Sequence, residues 1–202
     1  VTIEGEGGEQ FSYNQDSGEL TFTGNADYER LKRYDLVVVL SNRNGGVKNI
    51  PFSIVVDDIN EAPSLSSTLA ANSFPEASSV GTIIATYSAS DPESSSISYS
   101  LSGTDSSKFA IASDGTVTLA SALDYEIKSG YSIIVNASDG THTASHGLTI
   151  SATNVNEAPT LSSTLVASSF PESSVVGTTI ATSSASDSEA STINWSLSGT
   201  DS

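Results

Sequence analysis

Cysteine is absent from this chain of 202 residues, which excludes a disulfide framework, a thiolate zinc site and a thiol nucleophile. Basic residues are scarce as well: 7 lysines and arginines stand against 24 acidic residues, for a net charge of −17. Such a charge repels nucleic acid and anionic membrane surfaces, so neither is an expected partner. No apolar run approaches the roughly 20 residues of a membrane-spanning helix, so no transmembrane segment is expected in this chain. The acidity favours a cationic partner or a metal ion.

The sequence repeats itself at a domain-sized interval. The phrase "DINEAP" at 58–63 returns as "NVNEAP" at 154–159, and the segments 58–106 and 154–202 are identical at 35 of 49 positions. Repetition of this kind is typical of an array of modules. We therefore predict the C-terminal part of one repeat at 1–61, a complete repeat at 62–158 and the N-terminal part of a third at 159–202. The two partial repeats are roughly complementary pieces of one module, so head-to-tail association between chains is a hypothesis.

The local pattern predicts β-strands throughout, because apolar residues alternate in "ISYSL" (97–101) and "INWSL" (193–197) and no stretch keeps a helical period. The complete repeat contains about seven short strands, which is typical of a β-sandwich. Trp195 replaces Tyr99 of the middle repeat, so we expect it in a core. The predicted core of the middle repeat consists of Phe74, Ile84, Tyr99, Leu101, Phe109, Ile111, Val117, Leu119, Leu123, Tyr131, Ile133, Val135, Leu148 and Ile150.

The acidic residues fall into short motifs at strand ends and in the linkers. In chain order the middle repeat has "FPE" (74–76), "SDPE" (90–93), "LDYE" (123–126) and "ASDG" (137–140), and the phrase "DINEAP" precedes it. This order resembles tandem cadherin repeats of the compact bacterial surface or adhesin style. The resemblance implies an all-β fold of tandem, seven-stranded Greek-key sandwiches in an extracellular or cell-surface protein.

The resemblance also implies calcium ions bound at the junctions between repeats. Calcium takes 6–8 oxygen ligands, which carboxylates, carbonyls and asparagine amides from a linker and its two flanking modules can supply together. For the first junction the implied ligands are Asp27, Glu29, Asp58, Asn60, Glu61, Asp91, Glu93 and Asp139. For the second junction they are Glu76, Asp124, Glu126, Asn156, Glu157, Asp187 and Glu189.

The sequence departs from the usual cadherin pattern at several of these positions. Glu93 and Glu189 replace the second aspartate of a DxD pair, and Asn154 replaces the first linker aspartate of the second junction. Asn42 replaces the aspartate of the A-x-D motif in the first repeat. Neither junction is complete in this chain, so we expect weaker calcium binding than in an intact array.

Three functional classes follow from these motifs. The first is an adhesive stalk whose junctions calcium stiffens through contacts between neighbouring repeats. The second is a module that binds polysaccharide or other copies of itself directly. The third, an enzyme, is not expected, because no catalytic arrangement of residues is present. His142 and His146 are four residues apart, a spacing that could form a metal pair on a helix, but the segment is predicted as a turn into a strand, so we expect a surface role for both.

Overall fold

The computed structural model describes residues 1–199, so the last three residues of the third predicted repeat lie outside the described range. The described elements are β-strands and two 3₁₀ turns, at Gly8–Gln10 and Ser106–Lys108. No helix in this part of the chain could cross a membrane. The strands are β1 (Thr2–Glu4), β2 (Phe11–Tyr13), β3 (Leu20–Phe22), β4 (Arg33–Ser41), β5 (Val47–Val55), β6 (Ser64–Leu69), β7 (Ser73–Pro75), β8 (Ile83–Ser90), β9 (Ser98–Ser102), β10 (Phe109–Ile111), β11 (Thr116–Leu119), β12 (Gly130–Ser138), β13 (Thr143–Thr153), β14 (Thr160–Leu165) and β15 (Ala181–Ser186).

The chain forms two compact units. The first consists of Val1–Leu65 together with Ala89–Ser98 and Ala137–Ala144, and the second contains the other described residues. In the first unit, β1, β4 and β5 form one sheet, while β2 and β3 form a two-stranded sheet. Phe11, Tyr34 and Leu36 are the buried centre of its core. The rings of Phe11 and Tyr34 meet edge to face at 5.1 Å, which is a favourable aromatic geometry.

Residues 64–153 build the sheets of the middle repeat. One sheet has the order β10-β11-β8-β6 and the other has the order β7-β13-β12-β9. The first strand is split between them: β6 lies at the edge of one sheet, and β7 pairs in parallel with β13 of the other. If β6 and β7 are counted as two parts of one strand, the repeat has the seven strands that the sequence predicts. The predicted all-β fold is confirmed.

The core of the middle repeat follows the predicted alternation. Eleven of the fourteen predicted core residues are buried, and the alternating burial of β12 shows the period-2 pattern of a strand with one face inside. Tyr99, Leu101 and Ile111 are only half-buried, because β9 and β10 lie at the edges of their sheets. Tyr87 is 1% exposed and was not predicted as core. The residues around it in "ATYSAS" (85–90) are small or polar, so no alternation of apolar residues marks Tyr87 as core.

The predicted strand at 193–197 and the predicted burial of Trp195 are wrong. The segment has no strand, and Trp195 is 59% exposed. In the middle repeat, the equivalent strand β9 is paired with β12. The described part of the third repeat consists of β14 paired with β15 and has no counterpart of β12. Without that partner, neither a sheet nor a core forms around Trp195.

Candidate metal centres

Two loops with the same conformation present the acidic residues that follow β8 and β15. In the first loop, Asp91 Oδ1 accepts the backbone N–H of Ser95 at 2.9 Å; in the second, Asp187 Oδ1 accepts that of Ser191 at 3.0 Å. Each loop also contains a non-glycine residue with positive φ, Ser94 at 59° and Ala190 at 54°. Such a conformation is uncommon outside glycine, and its recurrence shows that both loops adopt one defined turn.

The first cluster is formed by Glu29, Asp58 and Glu93, which each offer a carboxylate oxygen within 4.8 Å of the others. Asp58 belongs to the linker after β5, and Glu93 belongs to the loop after β8. The turn that carries Glu29 is fixed by Asp27, whose Oδ1 accepts the N–H of Arg30 at 2.8 Å. Three separate chain segments therefore bring negative charge to one place.

Glu61 adds a fourth carboxylate to the first cluster. A proton shared with Glu93 raises the pKa of Glu61 to about 7, and burial together with the charges of Glu93, Glu29 and Asp58 adds to this effect. While both glutamates are ionised, neither offers a hydrogen to the other. The raised pKa of Glu61 therefore follows from its close contact with Glu93 and from the like charges around it.

Asp139 is tied to the linker next to this cluster. Asn60 Nδ2 donates to Asp139 Oδ2 at 2.8 Å, and the backbone N–H groups of Thr141 and His142 donate to Oδ1 at 2.6 Å each. The hydrogen bond from Asn60 and the backbone bonds lower the pKa of Asp139 to about 2. Asn60 Nδ2 also lies 2.8 Å from His142 Nδ1. His142 is exposed, as predicted, but it contacts a predicted ligand.

The second cluster consists of Glu76, Asp124, Glu126, Glu157 and Glu189. Glu76, Asp124 and Glu126 each offer an oxygen within 4.8 Å of the others, and so do Glu126, Glu157 and Glu189. Glu126 is common to both groups. This cluster therefore has the shape of two adjoining cation sites that share one carboxylate.

Glu76 also holds the second linker in place. Its Oε2 accepts the N–H of Tyr125 at 2.6 Å and its Oε1 accepts the N–H of Val155 at 2.7 Å. These two backbone hydrogen bonds keep the pKa of Glu76 below its usual range. Glu76 is 6% exposed, although an unpaired glutamate is rarely buried. Its two donors explain why its charged form is tolerated there.

The second linker repeats the geometry of the first with one change. Asn156 Nδ2 donates to the carbonyl oxygen of Glu157 at 3.0 Å, as Asn60 Nδ2 does to that of Glu61 at 2.9 Å. A proton shared with Glu189 raises the pKa of Glu157 to about 7, aided by burial and neighbouring carboxylates. The change is Asn154, whose Nδ2 donates to Glu126 Oε1 at 2.7 Å.

Five buried carboxylate oxygens without a hydrogen-bond partner indicate whether these clusters suit a cation. Asp91 Oδ2, both oxygens of Glu93 and both oxygens of Glu189 are buried and accept no hydrogen bond from the described residues. A buried unsatisfied polar group costs about 1–3 kcal/mol, and more when it is charged. Calcium binds carboxylate oxygens of this kind and would satisfy all five. The ligand atoms of both clusters are carboxylate oxygens, with no thiol or imidazole among them, and calcium prefers oxygen ligands.

The structure sorts the predicted ligands into two groups. The carboxylates that come together are those of Glu29, Asp58, Glu61, Glu93, Glu76, Asp124, Glu126, Glu157 and Glu189. The others, Asp27, Asp91, Asp139, Asp187, Asn60 and Asn156, each use at least one side-chain atom to fix the backbone or the linker. Sequence reasoning missed the contacts of Asn154 and His142 with these residues; their positions next to the motifs were the only signal.

Comparison with known proteins shows which family the middle of the chain resembles. The family model of the cadherin domain matches residues 71–168. Residues 71–168 are a cadherin domain. Protocadherin Fat 4 of Mus musculus is 37% identical over 111 residues, which is 51% of this chain and 2% of that protein. Cadherin-7 of Mus musculus is 32% identical over 153 residues, which is 67% of this chain and 20% of that protein. The chain thus spans a small share of either relative.

Solved structures agree with the cadherin fold. Extracellular cadherin domains 3–6 of Protocadherin Gamma B2 superpose with a TM-score of 0.59 at 23% identity, covering 93% of this chain and 48% of that one. At this identity the likeness concerns the fold alone. The predicted cadherin-like repeats are supported, and the predicted extracellular, cell-surface setting is that of cadherin domains. The bacterial type stays a prediction, since both of these relatives are mouse proteins.

Proposed function

We propose that this chain is a calcium-binding structural and adhesive module, in which calcium stiffens the junctions between repeats so that they form a stalk. The observation that carries the proposal is the set of five buried carboxylate oxygens without a donor, on Asp91, Glu93 and Glu189. A solvated acidic surface would leave such oxygens in contact with water. While the neighbouring Glu61 and Glu157 are ionised and share no proton with Glu93 and Glu189, the burial of these oxygens is costly unless a cation binds there.

The residues that would hold calcium come from both clusters. In the first cluster they are Glu29, Asp58, Glu61 and Glu93, with Asp91, Asp139 and Asn60 as further ligands. In the second they are Glu76, Asp124, Glu126, Glu157 and Glu189. Calcium supplies positive charge that removes the repulsion among these carboxylates. It would also tie the linker to the strands on either side of it, which is the physical basis of stiffening.

The main test is a calcium titration of the chain by calorimetry, combined with thermal unfolding in calcium and in chelator. A ligand that binds only the folded state stabilises it by about 2.7 kcal/mol at a hundredfold excess over its dissociation constant. We expect millimolar calcium to raise the melting temperature of the wild type. Glu126→Gln should remove the part of that rise that comes from the second cluster, because Glu126 belongs to both groups of that cluster.

The sign of the effect in chelator makes this test specific. Without calcium, Glu126→Gln relieves repulsion and should leave the melting temperature unchanged or slightly higher. Glu172→Gln is the matched control, because Glu172 is exposed and lies in the same "FPE" motif as Glu76 but in neither cluster. Equal melting temperatures of the wild type in calcium and in chelator would contradict the proposal.

Stiffening can be measured separately from binding. Backbone order parameters from nuclear magnetic resonance report motion on the picosecond to nanosecond scale. We expect the order parameters of Asn60, Glu61, Asn156 and Glu157 to rise when calcium is added. Calcium binding with no change in these linker amides would leave a calcium-binding domain but remove the stalk mechanism.

A further inference from the structure

Two carboxylates of the second cluster, those of Asp124 and Glu126, lie in one short turn between β11 and β12. Two hydrogen bonds close this turn: the N–H of Ile127 donates to Asp124 Oδ1 at 2.8 Å, and the N–H of Lys128 donates to the Asp124 carbonyl oxygen at 2.9 Å. Both bonds lie within the turn, so they fix its shape but not its place on the sandwich. The place of the two carboxylates depends on contacts between the turn and its surroundings.

A buried carboxylate outside the cluster makes one of these contacts. Asp105 stands just before the 3₁₀ turn Ser106–Lys108 and is 9% exposed. Its Oδ1 accepts a hydrogen bond from Lys128 Nζ at 2.6 Å, and its Oδ2 accepts one from the N–H of Ser132 in β12 at 2.7 Å. The bond from Lys128, followed by that from Ser132, keeps the pKa of Asp105 below its usual range. One carboxylate thus joins the end of the turn to the strand that follows it.

Tyr131 adds a second attachment to the same turn. The ring is buried, and Lys128 Nζ lies 5.6 Å from its centroid, which is within the range of a cation–π contact. The Tyr131 hydroxyl lies 3.2 Å from the backbone nitrogen and 3.2 Å from the carbonyl oxygen of Asp124. Lys128 therefore contacts two side chains, Asp105 and Tyr131, that are both held in the sandwich. Neither Asp105 nor Lys128 belongs to an acidic cluster.

The first repeat forms the same turn without an ion pair. The N–H of Arg30 donates to Asp27 Oδ1 at 2.8 Å, and the N–H of Leu31 donates to the Asp27 carbonyl oxygen at 2.9 Å. Leu31 stands at the position of Lys128 and packs against the apolar core of its repeat. An apolar contact thus attaches this turn where the middle repeat uses a charged one.

The position of Asp105 changes together with that of Lys128. Gly7 takes the place of Asp105, since each precedes the 3₁₀ turn of its own repeat. A Cβ atom at Gly7 would lie 2.6 Å from the ring of Tyr34 and 3.4 Å from Leu31, so a side chain there would displace the ring. The middle repeat therefore pairs an acid with a lysine, and the first pairs a glycine with a leucine. This joint difference is what a shared role of the two positions requires.

We propose that Asp105 and Lys128 are positioning residues of the second metal centre, whose ion pair holds the turn so that Asp124 and Glu126 present their carboxylates to calcium. This role rests on the proposed function, because it assigns the pair a part in calcium binding. Ligands that are already in place lose less conformational freedom when the ion binds, so the affinity is higher. Loss of the groups that orient metal ligands typically lowers metal affinity about 10–100-fold.

Charge alone predicts a different outcome, which makes the pair testable. Removing the negative charge of Asp105 weakens the attraction for a nearby cation, whereas removing the positive charge of Lys128 strengthens it. Positioning predicts weaker binding in both cases, because either change breaks the ion pair. Lys128→Met is therefore the deciding variant, since the two explanations give it opposite signs.

A calcium titration of the whole chain, followed by nuclear magnetic resonance, separates the two clusters. The amides of Tyr125 and Val155 report on the second cluster, because both donate to Glu76. The amide of Arg30 reports on the first cluster, because it donates to Asp27 in the turn that carries Glu29. The midpoint of each shift gives the calcium affinity of the corresponding cluster.

We expect Asp105→Asn and Lys128→Met each to lower calcium affinity at the second cluster about tenfold. The double variant should lose no more than either single variant, because each of them already breaks the pair. Lys128→Arg keeps the charge and the reach, so it should bind calcium like the wild type. Unchanged affinity at the first cluster shows that the variants fold.

Lys32 offers a matched control for the loss of a positive charge. It lies next to the equivalent turn of the first repeat, with its Nζ 4.7 Å from the centroid of the Tyr28 ring. Among residues 1–199 it forms no salt bridge. Lys32→Met should therefore leave calcium affinity at the first cluster unchanged or raise it, whereas Lys128→Met lowers the affinity at the second.

The possible results distinguish this role from the proposed function. If the wild type binds calcium at both clusters and Lys128→Met binds it equally or more tightly, the positioning role is wrong and the calcium proposal stands. If calcium shifts none of these amides in the wild type, both fail. In chelator, hydrogen exchange at the Ile127 amide should be faster in Asp105→Asn and Lys128→Met, because the turn is held less firmly. Unchanged exchange would overturn the positioning role even if the affinity falls.

Discussion

The two acidic clusters share a loop, a linker motif and an elevated glutamate pKa, but they are neutralised by different residues. The first cluster has Asp58 in its linker, and the nearby Asp139 is bound by Asn60. The second cluster has Asn154 in place of Asp58, and Asn154 donates to Glu126. It also has Glu76, whose two backbone hydrogen bonds join the linker to the "LDYE" turn.

This difference shows how one motif can be adjusted without a change of fold. The first cluster gathers four carboxylates with no side-chain donor among them, so it depends most on an added cation. The second cluster gains an internal donor from Asn154 and a rigid anchor from Glu76. We therefore expect the first cluster to respond more strongly to calcium and the second to be more stable without it. Four experiments address this comparison.

The largest effect is expected for Glu76→Gln. The amide can accept from one of the two backbone donors, Tyr125 or Val155, but its NH₂ group then faces the other. We expect the melting temperature to fall by roughly 5 °C or more, in calcium and in chelator alike. Glu172→Gln, at the equivalent exposed position, should change it little. A loss of stability that disappears in chelator would show that Glu76 acts only as a metal ligand and would contradict its anchoring role.

A reciprocal exchange of the linker residues should make the clusters resemble each other. Asn154→Asp replaces a donor to Glu126 by a like charge, so it should lower the melting temperature in chelator and increase calcium affinity at the second cluster several-fold. Asp58→Asn should do the opposite at the first cluster. Calorimetric titration of both variants measures the affinities. If both variants move the affinity in the same direction, the two clusters are not equivalent sites.

The pH dependence of calcium binding should be marked in both clusters. Glu61 and Glu157 have a pKa of about 7 in the folded state, above the usual 4.5 of a glutamate, so the folded state binds their protons more tightly than the unfolded state. In chelator their contribution to stability is therefore present below about pH 4.5 and is lost as the pH rises through 7. Since calcium competes with these protons, its affinity should fall about tenfold between pH 8 and pH 6.

The pH experiment has an internal control. In chelator, Glu61→Gln should reduce the change in melting temperature between pH 5 and pH 8. Glu157→Gln should reduce it as well. Thermal unfolding across this range is the measurement. A melting temperature in chelator that rises from pH 5 to pH 8 has the wrong sign for carboxylates with elevated pKa values.

The smallest effect is expected for His142→Ala, which tests a contact that, within residues 1–199, lies beside the first cluster and has no counterpart at the second. His142 Nδ1 lies 2.8 Å from Asn60 Nδ2, but Asn60 retains its bonds to Asp139 and to the Glu61 carbonyl. We expect calcium affinity at the first cluster to change by less than about threefold, within the usual range for surface substitutions. Affinity at the second cluster should not change. A tenfold loss would make His142 a ligand rather than a neighbour.

Alternation along the strands was enough to predict a β-sandwich and most of its core, while the cadherin type came from the order of the acidic motifs. Ile133 and Val135 in β12, or Val117 and Leu119 in β11, follow the period of 2 that any half-buried strand must have. The order of the acidic motifs likewise predicted which loops carry negative charge. These features are local, so the sequence alone determines them.

Only the tertiary structure decided which acids meet and which support them. Asp58 and Glu93 are 35 positions apart in the sequence. Nothing in either motif shows that ionised Glu93 is buried without a hydrogen bond from a backbone or amide group, while Asp139 gains three. Trp195 makes the same point in reverse, because its strand pattern is intact and yet it is exposed without a pairing strand. Burial and pairing depend on segments distant in sequence. The local sequence therefore determines the strands and the positions of the charges. Contacts with segments distant in sequence decide whether a given residue is buried in the core, binds a metal or lies on the surface.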